Sequence, residues 1–145
     1  MTIEYEWIVL DTNVWIFGLR NQPEKISCTH LLSMLPRLWV KVPRQVILEL
    51  LANLTERERR DFFYLVNQYP DRIDVSWDKV ELWLIRKYQA LGCKLGDAAI
   101  SAHLEALDIN VLVSENRDFL QELTGQPFRV VSAEEALKTF QKRDE

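Results

Sequence analysis

The sequence predicts an α/β fold: a three-layer sandwich with a central, mostly parallel twisted sheet of about four to five strands and helices on both faces. Two observations carry that expectation. Short apolar runs recur at 7–10, 38–42, 110–113 and 128–131, each of strand length. Segments with helical apolar spacing stand between them, and strands alternating with helices build a parallel sheet covered on both sides.

In chain order, Trp7-Ile8-Val9-Leu10 reads as a short buried strand, broken by Asp11-Thr12-Asn13 before apolar residues resume at Val14. Residues 14–18 continue as a short helix, and 19–25 as a polar loop. A helix over 27–35 has Leu31, Leu32 and Leu35 at helical spacing, and Pro36 ends it. After the strand at 38–42, Pro43 opens a helix over 44–54 at its first turn, where a missing N–H costs nothing. Thr55 and Glu58 form a capping-box pattern for a helix through 67. Ile73-Asp74-Val75 reads as a short strand, and Asp78 as the cap of a helix over 79–91 that stops at Gly92. A helix rich in small residues starts near Gly96-Asp97 and runs to about 107. A short helix over 119–123 follows the strand at 110–113, then a turn at Gly125-Gln126-Pro127 and the last strand. Ser132 and Glu135 suggest a second capping box, for a final helix to about 140, with 141–145 frayed.

A chain of 145 residues suits one domain, 1–145, with no internal repeat or linker. The hydrophobic share of 48% against 28% charged is that of an ordinary globular chain, and four Gly and five Pro argue against long disordered tracts. A net charge of −4 does not favour a broad basic footprint for duplex DNA. It leaves room for a nucleic-acid substrate if a local basic rim or a metal ion supplies the positive field. Cys28 and Cys93 fit no metal or CxxC spacing and read as small hydrophobes in a reducing compartment. No apolar run approaches the ~20 residues of a membrane helix. Glu4, Glu6, Asp11 and Asn13 are wrong for a signal peptide. The expected location is cytoplasmic.

Asp11, Glu49, Asp97 and Asp118 stand where chemistry is expected. Asp11 follows a buried strand, at the sheet edge where ligands bind in open parallel α/β sheets. Asp118 lies just after the strand at 110–113, and if the two strands are neighbours their ends open into one crevice. Asp97 sits at a helix start, and Glu49 at the border of an apolar helix face. Structural readings compete: Asp97 as an N-cap, Asp118 as a partner of the following helix's dipole, Glu49 as a solvated flank. Together, carboxylates around one crevice repel unless a cation binds there. Oxygen-only ligands suit Mg²⁺ or Mn²⁺ rather than zinc. No phosphate-binding loop, GxGxxG, GxSxG or HExxH is present. His30 and His103 have no ligand spacing and read as surface or partner-facing.

The ordered segments LDTNVWI, VPRQVILELL, GDAAISAHLEAL and VLVSENRDFL resemble the PIN-domain nuclease family, including the VapC-type toxins of bacterial toxin–antitoxin pairs. The likeness runs from 8 to about 131. By the family pattern Asp11, Glu49, Asp97 and Asp118 match the acidic metal-site residues. Ser114 falls where the family carries a small hydroxyl residue, Asn116 where it carries Asn or Asp, and Asn13 on the Asn of the DTN motif, an orienter of Asp11. The resemblance implies a divalent-metal-dependent endoribonuclease that uses Mg²⁺ or Mn²⁺ on an RNA substrate. The VapC-like subset adds an antitoxin protein, laying an apolar segment across the groove near the early helices, and a homodimer. Trp77, Trp83 and Tyr88 are candidates for a dimer face, with core packing as the alternative. Arg20, Arg44, Lys94 and Arg117 lie near the motifs and are candidates for substrate phosphates. The alternative function is a non-catalytic module of the same fold that binds RNA or protein. Four filled acidic positions argue against it, because binding an anion does not call for acids. A haloacid-dehalogenase-type phosphatase is excluded by Asn13, which stands where its second Asp belongs.

Overall fold

The computed structural model describes residues 6–116, 119 and 125–144, the last four by backbone alone. Its elements are β1 (Trp7–Leu10), α1 (Thr12–Leu19), α2 (Ile26–Ser33), β2 (Trp39–Pro43), α3 (Arg44–Asn53), α4 (Glu56–Gln68), β3 (Ile73–Ser76), α5 (Leu82–Ala90), α6 (Leu95–Ala106), β4 (Val111–Val113), β5 (Arg129–Val131) and α7 (Ala133–Asp144). The strands form one parallel sheet in the order β3-β2-β1-β4-β5, flanked by helices as the sequence predicts.

The winding positions the site. The chain steps outward from β1 to β2 and β3, then returns across the sheet to β4, beside β1. Parallel crossovers are right-handed, so connections travelling in opposite directions put their helices on opposite faces. The α5–α6 pair therefore covers the face opposite α1–α4. The reversal falls between β1 and β4, and the crevice outside the carboxyl ends of two such strands is where a ligand fits.

Burial follows the same plan. Ile8, Val9, Leu10, Val111, Leu112 and Val113 are fully buried, as expected for central strands covered on both faces. α1 packs on α2, and α2 on α7. Trp15 of α1 meets Phe62 of α4 edge to face, with ring centroids 5.0 Å apart. The capping box at Thr55 forms as expected: its hydroxyl accepts from the Glu58 N–H, and the Glu58 carboxylate accepts from the Thr55 N–H. Among the described residues, no helix is long and apolar enough to cross a membrane.

Four local expectations change. Asp78 does not cap a helix: α5 starts only at Leu82, with Glu81 at the N-cap position. The preceding stretch stays extended, anchored where Arg44 Nη1 donates to the Trp77 carbonyl at 3.2 Å. Pro43 is not inside α3 but closes β2, pairing in register with Ser76, with an extended ψ of 156°. The final helix does not fray after 140 but continues to Asp144. His103 is not at the surface but only 4% exposed, since α6 lies with that side against the body of the protein. The expected helix over 119–123 lies outside the described residues, save Phe119, which is buried. Of the aromatic candidates for a dimer face, Trp77 and Trp83 are exposed and Tyr88 is in the core.

Gly18 sets how closely α1 meets α2. A Cβ there would lie 2.5 Å from Leu32 Cδ1 and 3.0 Å from the Cys28 carbonyl oxygen. Gly18→Ala gains roughly 1 kcal/mol of helix propensity. Forcing a methyl into a filled contact costs about 1–3 kcal/mol. The expected outcome is a net loss of stability, seen as a lower urea midpoint with unchanged slope. A midpoint at or above wild type would show that the two helices separate freely.

Candidate active site

Asp11 is built by the end of β1 and the start of α1. Its N–H continues the sheet, donating to the Val113 carbonyl at 2.8 Å. Its side chain caps α1: Oδ1 accepts from the Thr12 N–H at 2.8 Å. Its other oxygen, Oδ2, accepts from Ser114 Oγ at 2.7 Å. Ser114 is fully buried at the end of β4, so this bond spans the two central strands at the point where the winding reverses.

Glu49 reaches the same edge from α3. Oε1 accepts from Thr12 Oγ1 at 2.6 Å and Oε2 from Gln45 Nε2 at 2.9 Å. Thr12 therefore joins both acids, through its N–H to Asp11 and its hydroxyl to Glu49. Gly96, in the first turn of α6, leaves room for this carboxylate: a Cβ there would stand 2.7 Å from Glu49 Oε2. Asp97 is next to it. It does not cap α6, whose N-cap residue is Lys94, but lies within the first turn. Asn116 Nδ2 donates to Asp97 Oδ2 at 3.3 Å, and the Asn116 N–H donates to Ser114 Oγ at 3.0 Å.

Asp11 is strongly perturbed. Burial pushes its pKa up to about 6, against the lowering effect of the Ser114 and Thr12 hydrogen bonds, and the charges of Asp97 and Glu49 raise it further. The donors that hold Asp11 and Glu49 are a backbone amide, two hydroxyls and a carboxamide, all neutral. Among the described residues neither Asp11 nor Glu49 pairs with a cation. Hard carboxylate oxygens gathered at one edge, with Asp97 and Glu49 raising the proton affinity of Asp11, suit a divalent cation such as Mg²⁺ or Mn²⁺. Among the described residues no three His, Cys, Asp or Glu side chains gather tightly enough to hold an ion alone. Asp118 and Arg117 lie outside the described residues.

Other residues take different places from those expected. Asn13 does not touch Asp11 among the described residues. Its Oδ1 accepts from the Glu115 N–H at 3.2 Å and so holds the loop that carries Ser114 and Asn116. Arg20 is paired with Glu58 at 2.8 Å and also donates to the Asn53 carbonyl, so it is committed to α3 and α4. Lys94 and His30 are exposed. The sequence reading missed Thr12, Gln45, Gly96 and Glu115. Gln45 had a signal, since it precedes Glu49 by one helical turn. Glu115 accepts from the Ala133 N–H at 3.4 Å and lies 3.7 Å from Lys25 Nζ, tying this loop to α7.

Fold and acid-lined crevice together define a known class of domain. The family profile described as PIN domain matches residues 8–122, and the chain belongs to that family. No curated protein matches it in sequence. Among solved structures it is similar to FitAcB from Neisseria gonorrhoeae, with 19% identity, a TM-score of 0.57, and coverage of 87% of this chain and 97% of that one. VapBC2 from Rickettsia felis, solved bound to a DNA fragment from its promoter, has 16% identity and a TM-score of 0.57 over 87% and 98%. PAE2754 from Pyrobaculum aerophilum has 13% identity and a TM-score of 0.57 over the whole of both chains. At these identities the likeness is one of fold.

The raised pKa of Asp11 has a thermodynamic sign. A carboxyl that holds its proton more tightly folded than unfolded favours folding when protonated, so stability falls as pH rises from the unfolded value towards 6. In EDTA, wild type is expected to gain about 1 kcal/mol relative to Asp11→Asn between about pH 7.5 and 5. Urea titrations at several pH values measure it. A difference that does not change with pH would show that Asp11 titrates as an ordinary surface acid.

Proposed function

We propose that the chain is a divalent-metal-dependent endoribonuclease that hydrolyses RNA phosphodiester bonds, and that it is the toxin of a type II toxin–antitoxin pair. The observation that carries the nuclease reading is the crevice between β1 and β4, where Asp11 and Glu49 are held by neutral donors with Asp97 beside them. Membership of the PIN family supports it, and the resemblance to VapC-type toxins supports the antitoxin partner.

In this reading Asp11, Asp97, Glu49 and Asp118 hold one or two Mg²⁺ or Mn²⁺ ions. When bound, such an ion supplies Lewis-acid activation of water and neutralises charge at the attacked phosphate. The chain's own residues prepare the site. Ser114 and the Thr12 amide hold both oxygens of Asp11, each of which keeps a further lone pair for an ion. Thr12 and Gln45 do the same for Glu49, which orients water from the α3 side. Asn116 steadies Asp97. Water adds to phosphorus, one P–O ester bond breaks, and the products are a phosphate monoester and a free hydroxyl. Arg44, at the start of α3, is the residue in this reading that meets a strand phosphate.

The test is cleavage of labelled single-stranded RNA with Mn²⁺, with EDTA as the control. Asp11→Asn and Asp97→Asn should abolish activity. Ser114→Ala, which removes a support rather than a ligand, should lower activity or Mn²⁺ affinity about 10–100-fold. Calorimetry should detect Mn²⁺ binding to wild type. If both acid variants cleave as fast as wild type, the assignment is wrong. No Mn²⁺ binding at millimolar metal would favour a non-catalytic binding module.

A further inference from the structure

We propose that the cavity between α3, α5 and α6 is a subsite for one nucleobase of the RNA substrate, beside the scissile phosphate. This rests on the ribonuclease reading and extends it to how the substrate is seated.

The cavity measures about 220 Å³. That is below the roughly 300 Å³ at which pockets begin to take drug-sized ligands, so it suits a single ring system. Its wall is apolar where Val80, Ile85 and Ala99 meet, and polar where Arg44, Gln45 and Lys79 stand. An unstacked base has this profile, with flat apolar faces and hydrogen-bonding edges, and single-stranded RNA is read by seating such bases. A small inorganic anion would not need the apolar wall and would be opposed by Asp78, which also lines the cavity.

Position links the cavity to the acids. Gln45 lines it and also donates to Glu49 Oε2 at 2.9 Å, so one side chain belongs to both sites. Ala99 lies two residues beyond Asp97 on α6, and His103 follows one turn later. Arg44 and Lys79 supply cationic charge for the phosphates that flank a seated base. Arg44 is held in place by its bond to the Trp77 carbonyl, so its planar guanidinium is ordered before a ligand arrives.

His103 adds an independent sign. Its ring lines the cavity, and its Nε2 is buried with no hydrogen-bond partner among the described residues. A buried polar atom left unpaired is costly. Burial also holds its pKa down, so the ring is neutral and offers one donor and one acceptor nitrogen. Nε2 itself has almost no accessible surface, so a base edge pairs with it only as the ring turns into the cavity, a movement that the His103 ring signals report.

The experiment is an NMR titration of the full chain in EDTA with the four 5′-mononucleotides, using ribose 5-phosphate and inorganic phosphate as controls. At least one nucleotide should give saturable shifts of the Ala99 and Ile85 methyls and the His103 ring, which ribose 5-phosphate does not reproduce. Ala99→Leu and Val80→Phe, which fill the cavity from a helix and from a loop, should each weaken that nucleotide about tenfold. In RNA cleavage the same variants should raise KM about tenfold with kcat little changed. No shift with any nucleotide, or equal shifts with ribose 5-phosphate, overturns the subsite. RNA cleavage without those shifts overturns the subsite alone. Nucleotide shifts without cleavage sustain the base site and overturn the ribonuclease reading.

Discussion

The hydrogen bond from Ser114 to Asp11 joins the ends of the two central strands and holds a carboxylate in a place water scarcely reaches. Other features of the carboxyl edge depend on it. It requires β1 and β4 to be neighbours, which the reversal of winding provides. It leaves Oδ1 to cap α1, so the same side chain starts the first helix. It also gives Ser114 Oγ a fixed position from which to accept the Asn116 N–H, and Asn116 in turn reaches Asp97. A chain of short polar contacts thus runs from the sheet centre to the start of α6.

A buried charge is expensive, and the usual remedies are a cationic partner or a proton. Asp11 and Glu49 receive neutral donors instead. Burial, against the lowering effect of those donors, holds the Asp11 carboxyl at a pKa of about 6, and the described atoms carry a local excess of negative charge. Such an arrangement is costly in a protein that only has to fold. It makes sense where a cation is to be bound, since a preformed set of hard oxygens avoids much of the ordering cost at the moment of binding. The neutral donors orient the oxygens without competing for their charge.

Much of the fold was legible because the signals were local. Apolar runs marked four of the five strands, the Thr55–Glu58 pattern marked a cap that the structure contains, and Gly92 marked a helix end, whereas the helix expected to stop at Pro36 stops at Ser33 and Pro36 lies in a 3-10 turn over Leu35–Arg37. The start of α5 was not legible. Asp78 has the right chemistry for a cap, but its segment is held extended by Arg44 of another element, and no local pattern encodes that contact. His103 misled for a similar reason. A polar residue on a helix of small side chains is assigned to the surface by composition, whereas the sheet side of α6 buries it.

Within the site, the sequence by itself determined which residue types stand at the ends of β1 and β4, inside α3 and at the start of α6. The alternation of strands and helices was enough to place Asp11 at the carboxyl edge of the sheet. Tertiary structure alone decided which groups meet. That Thr12 bridges two acids, that Gln45 serves both Glu49 and a neighbouring cavity, that Asn13 holds a loop rather than Asp11, and that Gly96 gives the Glu49 carboxylate room all depend on contacts between distant segments. Such contacts are set by how closely α1, α3 and α6 converge on the sheet. Hydrophobic periodicity reports which face of a helix is buried, but not which side chain of another element lies opposite it.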